Sequence, residues 1–125
     1  MTAQDLRAFW QHGADEAWKT VEALLEKERY AHALYFCHLV LEKLLKARYV
    51  EKHGKPAPPT HDLVWLLDQS ELTLTDEDRG TLAEIAKFNI AGRYEDYKLE
   101  LHRWATADYA NMWAERTATL RSKLR

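Results

Sequence analysis

The chain has 125 residues, of which 46% are hydrophobic and 30% are charged, and its formal net charge is -2 at pH 7. This length suits one domain with one core, which we assign to residues 1–125. The small net charge excludes a protein that attracts nucleic acid over its whole surface, so any anion site must be local. The single cysteine, Cys37, excludes an intramolecular disulfide and is typical of a reducing compartment.

The N-terminus shows no basic-then-apolar leader that would indicate secretion. The longest uncharged stretch, residues 30–41, is well short of the ~20 residues that a membrane helix needs. We therefore expect a soluble cytoplasmic protein with no membrane segment.

Two long helices are predicted in the first half of the chain. Apolar residues recur at helical spacing over residues 3–26 and again over residues 29–52. Gly54 is a natural stop for the second helix. The only clear linker follows, because Pro56, Pro58 and Pro59 cannot lie inside a helix.

Three further helix starts are predicted after the prolines. Thr60 is the predicted N-cap of a short helix over residues 61–69, and Thr75 that of a longer helix with acidic residues in its first turn. Thr106 precedes the last helix. No useful stretch alternates as a β-strand does. The predicted fold is all-α, an up-and-down four-helix bundle with an additional short helix.

Residues 89–97 are predicted to interrupt this helical pattern and to carry the working surface. Gly92 allows a tight turn from which Arg93 would be presented, and arginine binds phosphate or carboxylate through two parallel hydrogen bonds. Tyr94 could stack on a base, and Asn89 could supply hydrogen bonds. The alternative is a connector in which Asn89 caps the preceding helix and Arg93 pairs with a nearby carboxylate.

Two lysines of the second helix could add positive potential. Lys43 and Lys46 are three residues apart, so both ammonium groups can reach one anion. The alternative is a solvated helix face on which Glu42 is their local partner.

Metal, nucleophilic and cofactor chemistry lack their usual patterns. No Glu-x-x-His pair occurs, and His32 and His38 lie on different faces of one helix, so we predict no metal site. Cys37 lies among apolar residues, which indicates an inert core thiol. No glycine-rich phosphate loop is present, and no cofactor is expected.

Three segments, in order, resemble the HEPN family of helical domains. Residues 33–47 are similar to its central helix, with the Glu-Lys-x-x-Lys-Ala pattern at residues 42–47. Residues 60–63 match its Thr-His-Asp-Leu helix start. Residues 88–94 are similar to its Asn-x-x-x-Arg-Tyr segment. Together the matches cover residues 30–97.

The resemblance implies a small all-helical protein that pairs as a homodimer and is often encoded beside a minimal nucleotidyltransferase, as in toxin–antitoxin modules. Related domains bind nucleotides or act as metal-independent ribonucleases. The ribonucleases carry Arg-x(4–6)-His at the start of the last main helix. Here eight residues separate Arg93 from His102, whereas Arg48 and His53 have the spacing but not the position.

Three hypotheses follow from the resemblance. The leading one is a non-catalytic HEPN protein that binds a nucleotide or RNA through Asn89, Arg93 and Tyr94, aided by Lys43 and Lys46, and works with a minimal nucleotidyltransferase. The second is a ribonuclease toxin that uses Arg93 with His102. The third is a structural module whose exposed aromatic residues hold a dimer or another subunit.

Overall fold

The computed structural model describes the backbone of residues 1–93 and 95–125 and the side chains of residues 1–90 and 99–125. Over these residues the chain forms six helices. They are α1 (Ala3–Glu26), α2 (Tyr30–His53), α3 (Leu63–Gln69), α4 (Asp76–Arg93), α5 (Glu95–Trp104) and α6 (Ala107–Leu124). The predicted all-α bundle of four long helices is confirmed. The sequence pattern predicts α3 but not the second short helix, α5.

The long helices alternate in direction along the chain. Arg7, near the start of α1, pairs with Glu51 near the end of α2, with 3.4 Å between Nη2 and Oε2. Lys123, near the end of α6, lies 2.6 Å from Asp78 near the start of α4. The Lys123 ammonium, with the Thr75 hydroxyl, holds the pKa of Asp78 below its usual range. Arg48, near the end of α2, donates to the Leu124 carbonyl at the end of α6 at 2.8 Å, so α2 and α6 run in the same direction. Together these pairs establish the up-and-down order.

α2 is the central helix, because it contacts each of the other five. Its fully buried side chains include Leu34, Leu41 and Leu45, and each buried leucine contributes about 1.5–3 kcal/mol of transfer free energy. This burial on several sides explains why α2 is apolar around most of its circumference. Among the described residues, no helix is long and apolar enough to cross a membrane.

The predicted cap of the short helix α3 is wrong by two residues. The N-cap is Asp62, whose carboxylate accepts a hydrogen bond from the Trp65 amide at 3.0 Å, and α3 begins at Leu63. Thr60 instead accepts from the Asp62 amide at 3.1 Å. The threonine therefore shapes the turn before the helix, while the aspartate satisfies an amide at the positive end of the helix dipole.

The predicted helix starts at Thr75 and Thr106 and the predicted stop at Gly54 are confirmed. The hydroxyl groups of Thr75 and Thr106 accept hydrogen bonds from amides of the first turns of α4 and α6, at 3.1 and 3.2 Å. Gly54 ends α2 in the left-handed conformation, with φ of 66°, and its amide donates to the Val50 carbonyl at 2.8 Å. A residue with a Cβ would be strained at that backbone angle.

Candidate functional site

The segment that was predicted to interrupt the helices is largely helical. α4 runs through Asn89 and Gly92 to Arg93, and α5 begins at Glu95. Gly92 therefore does not form a tight turn, and Asn89 lies inside the helix rather than at a cap. Tyr94 lies outside the described residues, as does the side chain of Arg93. Arg93 is the last residue of α4.

The last turns of α4 pack on the first turns of α6. The Phe88 ring meets the edge of Trp113, with 6.0 Å between ring centroids, and lies 6.4 Å from the Tyr109 ring. Burial, followed by the nearby Glu84 carboxylate, raises the pKa of Tyr109. This aromatic group fixes the end of α4, and with it Asn89, at the end of the bundle where α6 begins.

The same end of the bundle holds two histidines from distant parts of the chain. His102, in the last turn of α5, lies beside His32 in the first turn of α2, with 5.9 Å between ring centroids and 73° between ring planes. Both side chains are exposed. Together with Arg29, they line a cavity of about 270 Å³, which we call the two-histidine cavity.

The backbone around this cavity is suited to an anion. Arg29 is the N-cap residue of α2 and makes no side-chain cap hydrogen bond, and the first turn of α2 carries no acidic residue. The first amides of a helix bear partial positive charge. Small residues, Ala31 and Ala105, also line the cavity. His102 was predicted as a catalytic candidate, whereas Arg29 and His32 were not predicted as site residues.

Lys43 and Lys46 lie elsewhere, between α2 and α1. Their Nζ atoms are 5.5 and 5.0 Å from the centre of the Trp10 ring, at cation–π distance. Lys43 also packs on Gly13, where an added Cβ would lie 3.3 Å from the lysine Cδ. α1 is continuous through this glycine, whose missing side chain makes room for Lys43.

Glu42 is the centre of a polar group that contains the buried Lys46 and His38 and the exposed His61, which we call the Glu42 network. Lys46 Nζ donates to Oε2 of Glu42 at 3.3 Å, and His61 Nδ1 donates to Oε1 at 2.7 Å. His38 Nε2 lies 3.3 Å from the His61 carbonyl oxygen. Glu42 and Lys46 are each only 5% exposed. Glu42 is thus the local partner of Lys46, but Lys46 is buried rather than solvated, and Lys43 is half-buried against Trp10.

Cys37 is an inert core thiol, as predicted. Its side chain is fully buried, and burial raises its pKa to about 12. A thiol with such a pKa stays protonated at neutral pH and does not act as a nucleophile. Within the part of the chain that the structure describes, no three His, Cys, Asp or Glu side chains are grouped to hold a metal ion.

The HEPN domain family model matches residues 8–124 of the chain. The chain belongs to the HEPN family. The match covers nearly the whole sequence. It therefore includes residues of all four long helices, among them α1 and α6, which flank the three resembling segments. No curated protein and no solved structure gives a significant match.

The structure explains two of the segments that carry the HEPN resemblance. Glu42 and Lys46 belong to the central-helix pattern, and His61 belongs to the Thr-His-Asp-Leu helix start. They meet in the Glu42 network, so in this HEPN protein these two motifs join α2 to the start of α3. In the sequence, the feature linked to this contact is His61, which directly precedes the Asp62 cap. The spacing of the sequence alone does not reveal that its partner is Glu42.

Proposed function

We propose that this HEPN protein binds a phosphate group of a nucleotide or of RNA at the end of the bundle where α4 and α5 end and α6 begins. The observation that carries the proposal is that α4, whose last residue is Arg93, ends at the same end of the bundle as the exposed His102 of α5. The net charge of the chain is -2, so such a local group of donors is what an anion site requires.

Arg93 is the principal ligand in this proposal. It ends α4, five residues after Phe88, which is packed against α6. Asn89 lies one turn before it on the same helix. We retain Tyr94 as the residue that stacks on a base, following the family segment. Lys43 and Lys46 are not included, because Trp10 and Glu42 already engage their ammonium groups.

We further propose that the protein acts in the cytoplasm with a minimal nucleotidyltransferase, as one half of a toxin–antitoxin-like module. The family resemblance supports this partner. Co-purification of the chain with the product of a neighbouring nucleotidyltransferase gene tests it, and separate elution of the two proteins on gel filtration would oppose it.

Arg93→Ala is expected to weaken binding of a nucleotide or a single-stranded RNA by about 10-fold or more, because a charge-assisted hydrogen bond to phosphate is lost. It should also reduce the salt dependence of RNA binding by about one phosphate contact. Isothermal titration calorimetry with the two ligands measured separately distinguishes nucleotide from RNA.

Arg79→Ala is the matched control for that measurement. Arg79 lies in the first turns of α4, at the opposite end of the helix, and pairs with the Asp68 carboxylate at 3.0 Å. Its loss removes the same charge from the same helix and should leave affinity unchanged. Equal affinities of wild type, Arg79→Ala and Arg93→Ala would refute the role of Arg93.

A metal-independent ribonuclease that uses Arg93 with His102 is the second candidate, favoured by the exposure of His102 in the two-histidine cavity. A histidine that is open to solvent can reach a substrate proton. The candidate predicts that RNA is cut in the presence of EDTA by wild type and not by His102→Ala. Cleavage at the same rate by both proteins would exclude this histidine.

Self-association is proposed through the side of the bundle that carries α4, α5 and α6. These helices expose large apolar side chains, as a protein–protein contact commonly does. The exposed residues are Ile90, Leu99, Trp104 and Met112. HEPN domains often dimerise, and a dimer predicts twice the monomer mass of 14.7 kDa by light scattering. A monomer mass at all concentrations would contradict this.

A further inference from the structure

We infer that Arg29, His32 and His102 together form a phosphate-binding cleft, with His32 as a ligand that no sequence motif indicated. The inference rests on the proposed function for its class of ligand, a nucleotide or RNA. It adds the place where one phosphate lies and three side chains that hold it.

The first argument is the geometry of the two imidazoles. His32 and His102 are separated by most of the chain, yet their rings lie edge to face at 5.9 Å. Both rings are exposed, so neither is there to fill the core. Each imidazole can donate from a ring nitrogen in its neutral form and from both nitrogens when protonated. Two such donors at this separation can contact different oxygens of one phosphate group.

The second argument is the size and lining of the cavity. Its volume of about 270 Å³ is at the lower limit of the ~300–1,000 Å³ that holds a drug-sized molecule. This space fits a phosphate with part of its sugar, rather than a large apolar ligand. Arg29 is also a lining residue, and its guanidinium is the side-chain group best matched to phosphate oxygens.

The third argument is the balance of charge within the cavity. Glu28 is the one carboxylate among the described residues that line it and opposes an anion, while Arg29 and the two imidazoles favour one. Glu28 does not complete a metal site with the histidines, since no group of three metal-binding side chains occurs among the described residues. Two imidazoles and a guanidinium are therefore better suited to an anion than to a cation.

The direct test follows the histidine ring signals of the isotope-labelled protein by NMR while inorganic phosphate is added. The expected result is a saturable shift of the His32 and His102 signals. The His12 signal should not move, because His12 is exposed on α1, in the half of that helix whose Arg7 pairs with the far end of α2. Unmoved His32 and His102 signals would overturn the inference, whether or not RNA binds elsewhere.

The second test measures RNA affinity by fluorescence anisotropy. His32→Ala and Arg29→Ala are each expected to weaken binding by about 10-fold, the effect of one lost hydrogen bond to a charged group. His32→Gln keeps a side-chain N–H donor and should recover part of the affinity. Glu28→Gln should bind more tightly than wild type, and His12→Ala should bind equally. Wild-type affinity in both His32→Ala and Arg29→Ala would contradict the inference.

The two proposals fail in different ways. If Arg93→Ala weakens RNA binding and His32→Ala does not, the proposed function stands and the cleft is wrong. If phosphate moves the His32 and His102 signals but no nucleotide or RNA binds, the cleft stands and the proposed function is wrong.

Discussion

Glu42→Ala is expected to lower the free energy of unfolding by about 3–5 kcal/mol, because it leaves the buried Lys46 ammonium without its carboxylate. Glu42 and Lys46 are each 5% exposed, so solvent does not screen this pair in the folded protein. His61 loses its 2.7 Å hydrogen bond to the same carboxylate. Urea unfolding followed by circular dichroism measures the change.

Glu16→Ala is the matched control. Glu16 also lies in a long helix and also pairs with a lysine, Lys19, at 3.3 Å, but this pair is exposed to solvent. Its removal should change stability by no more than about 0.5 kcal/mol. A loss below about 1 kcal/mol in Glu42→Ala would show that the buried pair contributes no more than a surface pair does.

The double variant Glu42→Leu/Lys46→Met separates the charge from the packing. It removes both charges and leaves side chains of similar size, so it should be more stable than Glu42→Ala. The double variant could instead be less stable than Glu42→Ala. In that case the positions of His38 and His61 would depend on the charges of Glu42 and Lys46 more than on each other.

Trp113→Ala is the second substitution with a large expected effect, a loss of about 3–5 kcal/mol. Trp113 is 7% exposed, and the centroid of its ring lies 6.0 Å from that of Phe88 and 6.2 Å from that of Tyr109. The Arg116 guanidinium lies 4.7 Å from its centre. The substitution would leave an empty space beside Phe88. Because Phe88 belongs to the last turns of α4, this space would loosen the part of that helix that precedes Arg93.

Urea unfolding measures the stability of this variant, and amide hydrogen exchange shows where the structure opens. Exchange should rise most in the last turns of α4. Phe9→Ala is the control, since Phe9 is 56% exposed and lies on α1, so its loss should cost at most about 1–2 kcal/mol. Equal stability of Trp113→Ala and Phe9→Ala would contradict the packing described for this end of the bundle.

The fold followed from the sequence wherever local chemistry decides it. Hydroxyl caps at Thr75 and Thr106 and the left-handed glycine at position 54 act within a few residues, so their roles are visible in the sequence. The predicted cap of α3 was wrong because threonine and aspartate, at positions 60 and 62, are both good N-cap residues. Only the final backbone path determines which of them faces the first turn.

The helical state of Gly92 could not be predicted in the same way. Glycine costs about 1 kcal/mol inside a helix, which favours a break when the sequence is considered alone. α4 buries Leu82, Ile85 and Phe88 against the bundle, and that packing outweighs the local preference. The helix therefore continues to Arg93, and a second helix, α5, follows it.

The candidate site was predicted only in part, since its members come together through the tertiary fold. The resemblance pointed to Asn89, Arg93 and His102. In the sequence, His32 can be compared only with the nearby His38, as a possible pair of metal ligands. Its neighbour in the structure, His102, lies on another helix, and no sequence pattern links the two. The partnership of Glu42 with His61 is likewise invisible in sequence spacing, whereas that of Glu42 with Lys46 lies at helical i,i+4 spacing.

Titration of the wild-type protein with a labelled single-stranded RNA and with a labelled nucleotide is the most direct test of the proposed phosphate site. Fluorescence anisotropy would be recorded at about 50 and about 200 mM salt, a range over which phosphate contacts weaken strongly. We expect saturable binding of at least one ligand, with affinity that falls as salt rises. Absence of binding to both ligands at low salt, or an affinity that salt does not change, would contradict the proposed function.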